Sequence, residues 1–137
     1  MLISESIPSK LDALDEFIPR LLMKFKAASL DDEDIFTLQL CLEEALVNAI
    51  KHGNKMNADL SVAVTIQLDT HEVVMTIKDK GEGFDHASLP NPTQKDNLSK
   101  LSGRGVFLIK SLMDRVEYFD QGSGIRMVKQ LKKGGHT

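Results

Sequence analysis

Apolar residues follow a helical period twice in the first third of the chain and an alternating period in two later pairs of segments. Leu11, Leu14, Phe17, Ile18, Leu21, Leu22 and Phe25 predict an amphipathic helix reaching about Ala28. Pro8 fits the first turn of that helix, whereas Pro19 lies inside it and is expected to kink or split it. Leu2 to Ser6 reads as a short edge strand. Ile35, Leu38, Leu42, Ala45, Leu46 and Ala49 form a second stripe, on a helix from about Asp32 to His52. "SLDDED" supplies its cap and first-turn acids, and Gly53 and Asn54 close it. "LSVAVTIQL" and "EVVMTIKD" alternate and are rich in Val, Ile and Thr, so they predict an antiparallel hairpin joined at Asp69 and Thr70. Lys80 to Ser102 has no period and reads as one long loop, of the kind that usually serves as a functional lid or is disordered. A helix from about Gly105 to Met113 follows, then "RVEYF" and "IRMVKQL" as a hairpin through "DQGSG". The order β-α-α-β-β-loop-α-β-β predicts an α+β fold, helices on one face of a mostly antiparallel sheet.

Composition narrows the function classes. A length of 137 residues fits one domain, and 17 basic against 20 acidic residues leave a net charge of −3 with the signs mixed. That balance gives no electrostatic reason to expect a nucleic-acid or anionic-membrane surface. Cys41 is the only cysteine, so an intramolecular disulfide or multi-cysteine metal site is excluded and a reducing cytoplasm is the expected compartment. "MLISESIPSKLDALDE" lacks the pattern of a secretory signal, and "GVFLI" is too short to span a bilayer.

Three segments carry candidate chemistry. Glu44, Asn48 and His52 recur every fourth residue, a spacing that stacks a carboxylate, an amide and an imidazole on one helix face. Such a carboxylate can orient or deprotonate a hydroxyl, and an amide oxygen is a hard ligand suited to Mg²⁺. In "DKGEGFD", Asp79 stands at a strand end before Gly81 and Gly83, where a carboxylate can accept a hydrogen bond from a purine amino group. In "SGRGVFLIKSLMD", Gly103 and Gly105 free amide donors at a helix start and Arg104 adds charge, which suits phosphate. The segment is neither a Walker A loop nor a dinucleotide fingerprint, because the required glycines are missing. Each segment alone has an ordinary reading as a solvated face, an acidic turn or a helix start. Together they are the parts of one nucleotide pocket.

The chain resembles the histidine-kinase-like (Bergerat, GHKL) ATPase superfamily, and within it the anti-sigma-factor serine/threonine kinases of the RsbW type. "EEALVNAIKHGN" is similar to the family's N box, "DKGEGFD" to its first glycine box and "SGRGVFLIKSLMDRVEY" to its second, and "LPNPTQKDNLSKLSGRG" resembles its lid. The resemblance implies a single ATPase domain over residues 1–137. Its fold would be a Bergerat-type two-layer sandwich, a mostly antiparallel mixed sheet with helices on one face and an ATP lid from about His86 to Ser102. It implies Glu44 as general base and Asn48 as Mg²⁺ ligand, with Lys51 and His52 close to the phosphates. Asp79 would read the adenine amino group, Gly81 and Gly83 would clear the ring, and Gly103, Arg104 and Gly105 would cradle the phosphates. Gly122-Ser123 stands where the family often has Gly-Thr, so Ser123 keeps the hydroxyl, while Gly124 is a departure. Glu43 competes with Glu44, and the four-residue interval to Asn48 favours Glu44.

The implied activity is ATP-dependent phosphorylation of a STAS-domain anti-sigma-factor antagonist, alternating with capture of a sigma factor. Homodimerisation is compatible with it; direct nucleic-acid and membrane binding are not expected. Two other readings stay open: a nucleotide-gated binding switch without phosphotransfer, and the detached catalytic domain of a histidine kinase. His71 reads as turn polarity, Arg20 as a solvated arginine, and Met23, Met75, Met113 and Met127 as core filler. None of His52, His71, His86 and His136 has a partner at ligand spacing.

Overall fold

The computed structural model describes residues 1–81 and 108–132. Strand β1 (Leu2–Pro8) leads through a 3₁₀ turn (Leu11–Ala13) into helix α1 (Leu14–Ala27). Helix α2 (Asp32–Asn48) runs into a π-helical turn, Ala49–Gly53. Hairpin β2 (Ser61–Leu68) and β3 (Glu72–Lys78) comes next, and residues 108–112 are helical ahead of β4 (Arg115–Phe119) and β5 (Gly124–Gln130).

Among the described residues the predicted helices and strands are present, and their ends differ for local reasons; most of the expected loop from Lys80 to Ser102 and the start of the expected helix from Gly105 to Met113 lie outside the described residues. Pro8 closes β1 instead of opening a helix; on an edge strand its missing N–H costs no ladder bond. Pro19 does not split α1, which continues through it. Pro19 and Asp15, whose carbonyl loses its amide partner, are both exposed, so that carbonyl is open to water. Asp31 caps α2 by accepting a 2.7 Å hydrogen bond from the Glu33 amide, and three acids in the first turn complement the helix dipole. The first hairpin turns through residues 69–71, where Asp69 Oδ1 accepts from the His71 and Glu72 amides at 2.7 and 2.9 Å, leaving His71 exposed.

The sheet order is β1-β2-β3-β5-β4, and every pairing is antiparallel. On β2, Val62, Val64, Ile66 and Leu68 are buried while Ala63 and Gln67 are exposed, so one face meets the helices. Leu21 and Phe25 of α1 and Leu38, Leu42 and Leu46 of α2 are all but inaccessible, as are Ile66, Met75, Ile77 and Met127 of the sheet. Each such side chain contributes roughly 1.5–3 kcal/mol by leaving water. Arg20 is not simply solvated. It makes a bidentate pair with Glu5 and lies 5.5 Å from the Phe17 ring centroid, tying α1 to β1. The Arg20 guanidinium holds the Glu5 carboxyl below its ordinary range.

This architecture puts two ends together. The π turn at the end of α2 meets the chain leaving β3, the central strand, and β5 runs alongside with Lys78 opposite Gly124.

Candidate functional site

Glu44 and Asn48 lie one turn apart on α2, both half-buried, flanked by the core-facing Ala45, Leu46 and Ala49. Asn48 Oδ1 is buried and accepts no hydrogen bond among the described residues. A buried acceptor in that condition costs about 1–3 kcal/mol. Glu43 is engaged along the helix surface, accepting from Gln39 Nε2 at 3.2 Å. Cys41, one turn before Ala45, is wholly buried, and burial pushes its thiol up to about 11, so it is an inert core group.

Beyond Asn48 the helix widens. The Asn54 amide bonds the Ala49 carbonyl at 2.8 Å, five residues back, in place of the α-helical four. The four-residue stacking that aligns Glu44 with Asn48 is therefore not carried in phase to His52. Lys51 is half-buried and His52 exposed in this turn. Desolvation, and then the Lys51 charge, hold the His52 imidazole below its ordinary pKa, so it is neutral at pH 7.

Asp79, at the end of β3, is buried and meets the π turn directly. Its carboxyl group packs so closely on Gly53 that a Cβ there would fall 2.3 Å from Asp79 Cγ and Oδ2. Gly81 lies against the same residue, and a Cβ on it would stand 2.0 Å from the Gly53 carbonyl oxygen. Neither glycine has a positive φ. Their role is to leave space, which corrects the expectation that Gly53 merely closes the helix. The Asp79 amide donates to the Ser123 carbonyl at 2.9 Å, and Asp79 Oδ1 accepts from the Gly81 amide at 2.7 Å.

Ser123 is buried beside this turn. Its hydroxyl donates to the Asp120 carbonyl at 2.9 Å and accepts from Lys78 Nζ at 2.8 Å. The single hydroxyl proton is thus committed, and toward a ligand Ser123 could only accept. Asp120, Gln121 and Gly122 all have positive φ, a left-handed turn that aims the Asp120 carbonyl at Ser123. Gly124 also has a local cause: it pairs with Phe119 of β4, and a Cβ there would fall 2.3 Å from the ring.

Burial raises the Asp79 pKa, with the Gly81 hydrogen bond and the Lys78 charge opposing it. A carboxyl with a raised folded-state pKa favours folding below its unfolded pKa, near 3.8, and that contribution is lost as pH rises through the folded value. Asp79→Asn is therefore expected to raise the melting temperature of the nucleotide-free protein at pH 7, with the gain vanishing below pH 4. Thermal unfolding across that range checks it; a variant less stable at pH 7 would show that the carboxylate is well compensated.

Gly53, Asn54 and Ser9 escaped sequence reasoning as site residues. Asn54 Oδ1 accepts from the Lys80 amide at 2.7 Å, and its Nδ2 donates to Ser9 Oγ at 2.8 Å. The only available signal was the unbroken run from "NAIKHGN", and it does not say which later residue arrives there. Gly83, Gly103, Arg104 and Gly105, and the segment from His86 to Ser102 expected to form a lid, lie outside the described residues.

The family model for the histidine kinase-like ATPase domain matches residues 7–129. The chain belongs to the histidine kinase-like ATPase family. Within that family it is 32% identical over 117 residues to the serine-protein kinase RsbW of Staphylococcus epidermidis, covering 80% of this chain and 74% of that protein. It is 34% identical over the same length to the serine-protein kinase RsbW of Staphylococcus aureus strain JH9, with the same coverage. For a histidine kinase-like ATPase, the chemistry of the donor set fits Mg·ATP. Asn48 offers a hard, unpaired oxygen suited to Mg²⁺, and Asp79 offers a fixed acceptor beside a glycine-cleared turn. Among the described residues no cluster of three His, Cys, Asp or Glu side chains could cage a metal. No helix of the described residues is long and apolar enough to cross a membrane.

Proposed function

We propose that residues 1–137 work as one ATPase domain, a cytoplasmic serine/threonine protein kinase and anti-sigma factor. It phosphorylates a STAS-domain antagonist and, in its other state, holds a sigma factor. The observation that carries the reading is the unpaired, buried Asn48 Oδ1 one turn beyond Glu44. A carboxylate and a hard amide oxygen on one helix face are what hydroxyl activation beside a metal–triphosphate requires.

Asp79 accepts a hydrogen bond from the exocyclic amino group of the base and fixes one end of the nucleotide. Asn48 would hold Mg²⁺, which when bound neutralises charge on the triphosphate. Lys51 and His52 border the phosphates from the π turn, with Gly103, Arg104 and Gly105 completing the cradle. Glu44 takes the proton of the acceptor hydroxyl as its oxygen bonds to the γ-phosphorus and the bond to the β,γ-bridging oxygen breaks, releasing ADP. Catalysis of this type is mainly positioning and charge stabilisation.

Calorimetric titration with Mg·ADP and Mg·ATP, alongside Asp79→Asn, tests the pocket. Micromolar-range binding that falls by at least about tenfold in the folded mutant supports the reading, since a hydrogen bond to a charged group contributes about 1.5–3 kcal/mol. Absence of binding to folded wild-type protein would overturn it.

A further inference from the structure

We infer that Asn54 is a positioning residue for base selection: its side-chain amide fixes the turn after β3 on the end of α2, and thereby aims the Asp79 carboxylate. The inference rests on the reading of Asp79 as the acid that recognises the base. Asn54 is 2% exposed, and its amide is fully used. Oδ1 accepts from the Lys80 amide at 2.7 Å, while Nδ2 donates to Ser9 Oγ at 2.8 Å and to the Ser61 carbonyl at 3.2 Å. The amide cannot be turned over, because the Lys80 N–H only donates and the Ser61 carbonyl only accepts. Ser9 is itself pinned: it is wholly buried, and its hydroxyl donates to the Leu60 carbonyl at 2.7 Å.

Lys80 is the residue through which this network controls Asp79. The Asp79 amide is already held by Ser123, so the peptide that follows decides which way the carboxylate faces. That peptide's N–H belongs to Lys80 and ends on Asn54; the next one, from Gly81, ends on Asp79 Oδ1. Without Asn54 the Lys80 peptide is free to rotate and carries the Gly81 donor away from the carboxylate. A buried, fully satisfied polar network of this kind specifies a geometry, beyond whatever stability it adds.

Mg·ATP and Mg·ITP separate aim from stability, because inosine has a carbonyl where adenine has the amino group. Wild-type protein is expected to prefer ATP, and Asn54→Ala to reduce that preference about tenfold while ITP affinity changes little. Ser9→Ala frees only the far end of the amide and is expected to reduce the preference about threefold, which decides the matter if Asn54→Ala does not fold. In Asp79→Asn/Asn54→Ala the preference should equal that of Asp79→Asn alone, since Asn54 acts through Asp79. A lowered melting temperature with the full ATP preference retained in the folded variants would overturn the inference and leave Asn54 a structural residue. A wild-type protein that binds ATP and ITP equally would instead overturn the reading of Asp79, and this inference with it.

Discussion

Replacing Glu44 by glutamine is expected to lower phosphoryl transfer to a cognate antagonist by roughly 10²–10⁴-fold, the usual contribution of a positioned general base. Glutamine keeps the length and shape of the side chain on α2 but cannot take the hydroxyl proton. Mg·ATP affinity should stay within about twofold, because Asn48 and Asp79 are untouched and only transition-state stabilisation is lost. Single-turnover transfer of labelled γ-phosphate, with calorimetry on the same preparation, measures both. Comparable transfer by the variant would remove Glu44 from the base role and bring forward Glu43, now bonded to Gln39. The acid stability of the product matters as well. An acid-stable phosphoprotein argues against the histidine-kinase reading, and no phosphoprotein from the wild-type chain would favour a binding switch without transfer.

Gly53→Ala is the second large effect. Helix propensity alone predicts a gain of about 1 kcal/mol, since Gly53 lies in a helical turn without a positive φ. The packing predicts the opposite sign. The added methyl would sit 2.3 Å from Asp79 Cγ, so the carboxylate or the π turn must move. We expect a stability loss of roughly 1–3 kcal/mol, typical of overpacking. ADP affinity should fall roughly a hundredfold, as expected when about 2.7 kcal/mol of base recognition is lost. Denaturant unfolding and calorimetric titration test the two parts separately. A stabilised variant that binds ADP normally would mean that Asp79 and Gly53 do not meet as tightly as the structure has them.

The fold was legible where periodicity governs. The stripe from Ile35 to Ala49 and the alternation from Val62 to Leu68 each identify an element and its buried face without help from distant residues. The helical and strand ends were less legible. Whether Pro19 breaks α1 depends on which carbonyl loses its partner and whether water reaches it. The candidate site was legible in its residue types but not in its joints. Glu44, Asn48 and Asp79 stand out as polar groups set against apolar patterns. The importance of Gly53 depends on Asp79 arriving from 26 positions later in the chain (79 − 53), and no local rule reports that. Asn54 was hidden for the same reason: as a helix-closing residue it already had an adequate explanation. The π turn was hidden because four- and five-residue hydrogen bonding leave the same residues apolar over a single turn.

The hydrogen bond from the Asp79 amide to the Ser123 carbonyl joins β3 to the start of β5, a strand more than forty positions downstream (123 − 79 = 44). A nascent chain that has emerged only as far as β3 therefore has its aspartate in sequence but not yet in place. The backbone geometry around Asp79 depends on a strand made well after it, and is complete only once β5 has paired. Any ligand that bound Asp79 only in this arrangement would by linkage also favour the paired β5, tying the middle and last thirds of the polypeptide into one cooperative unit.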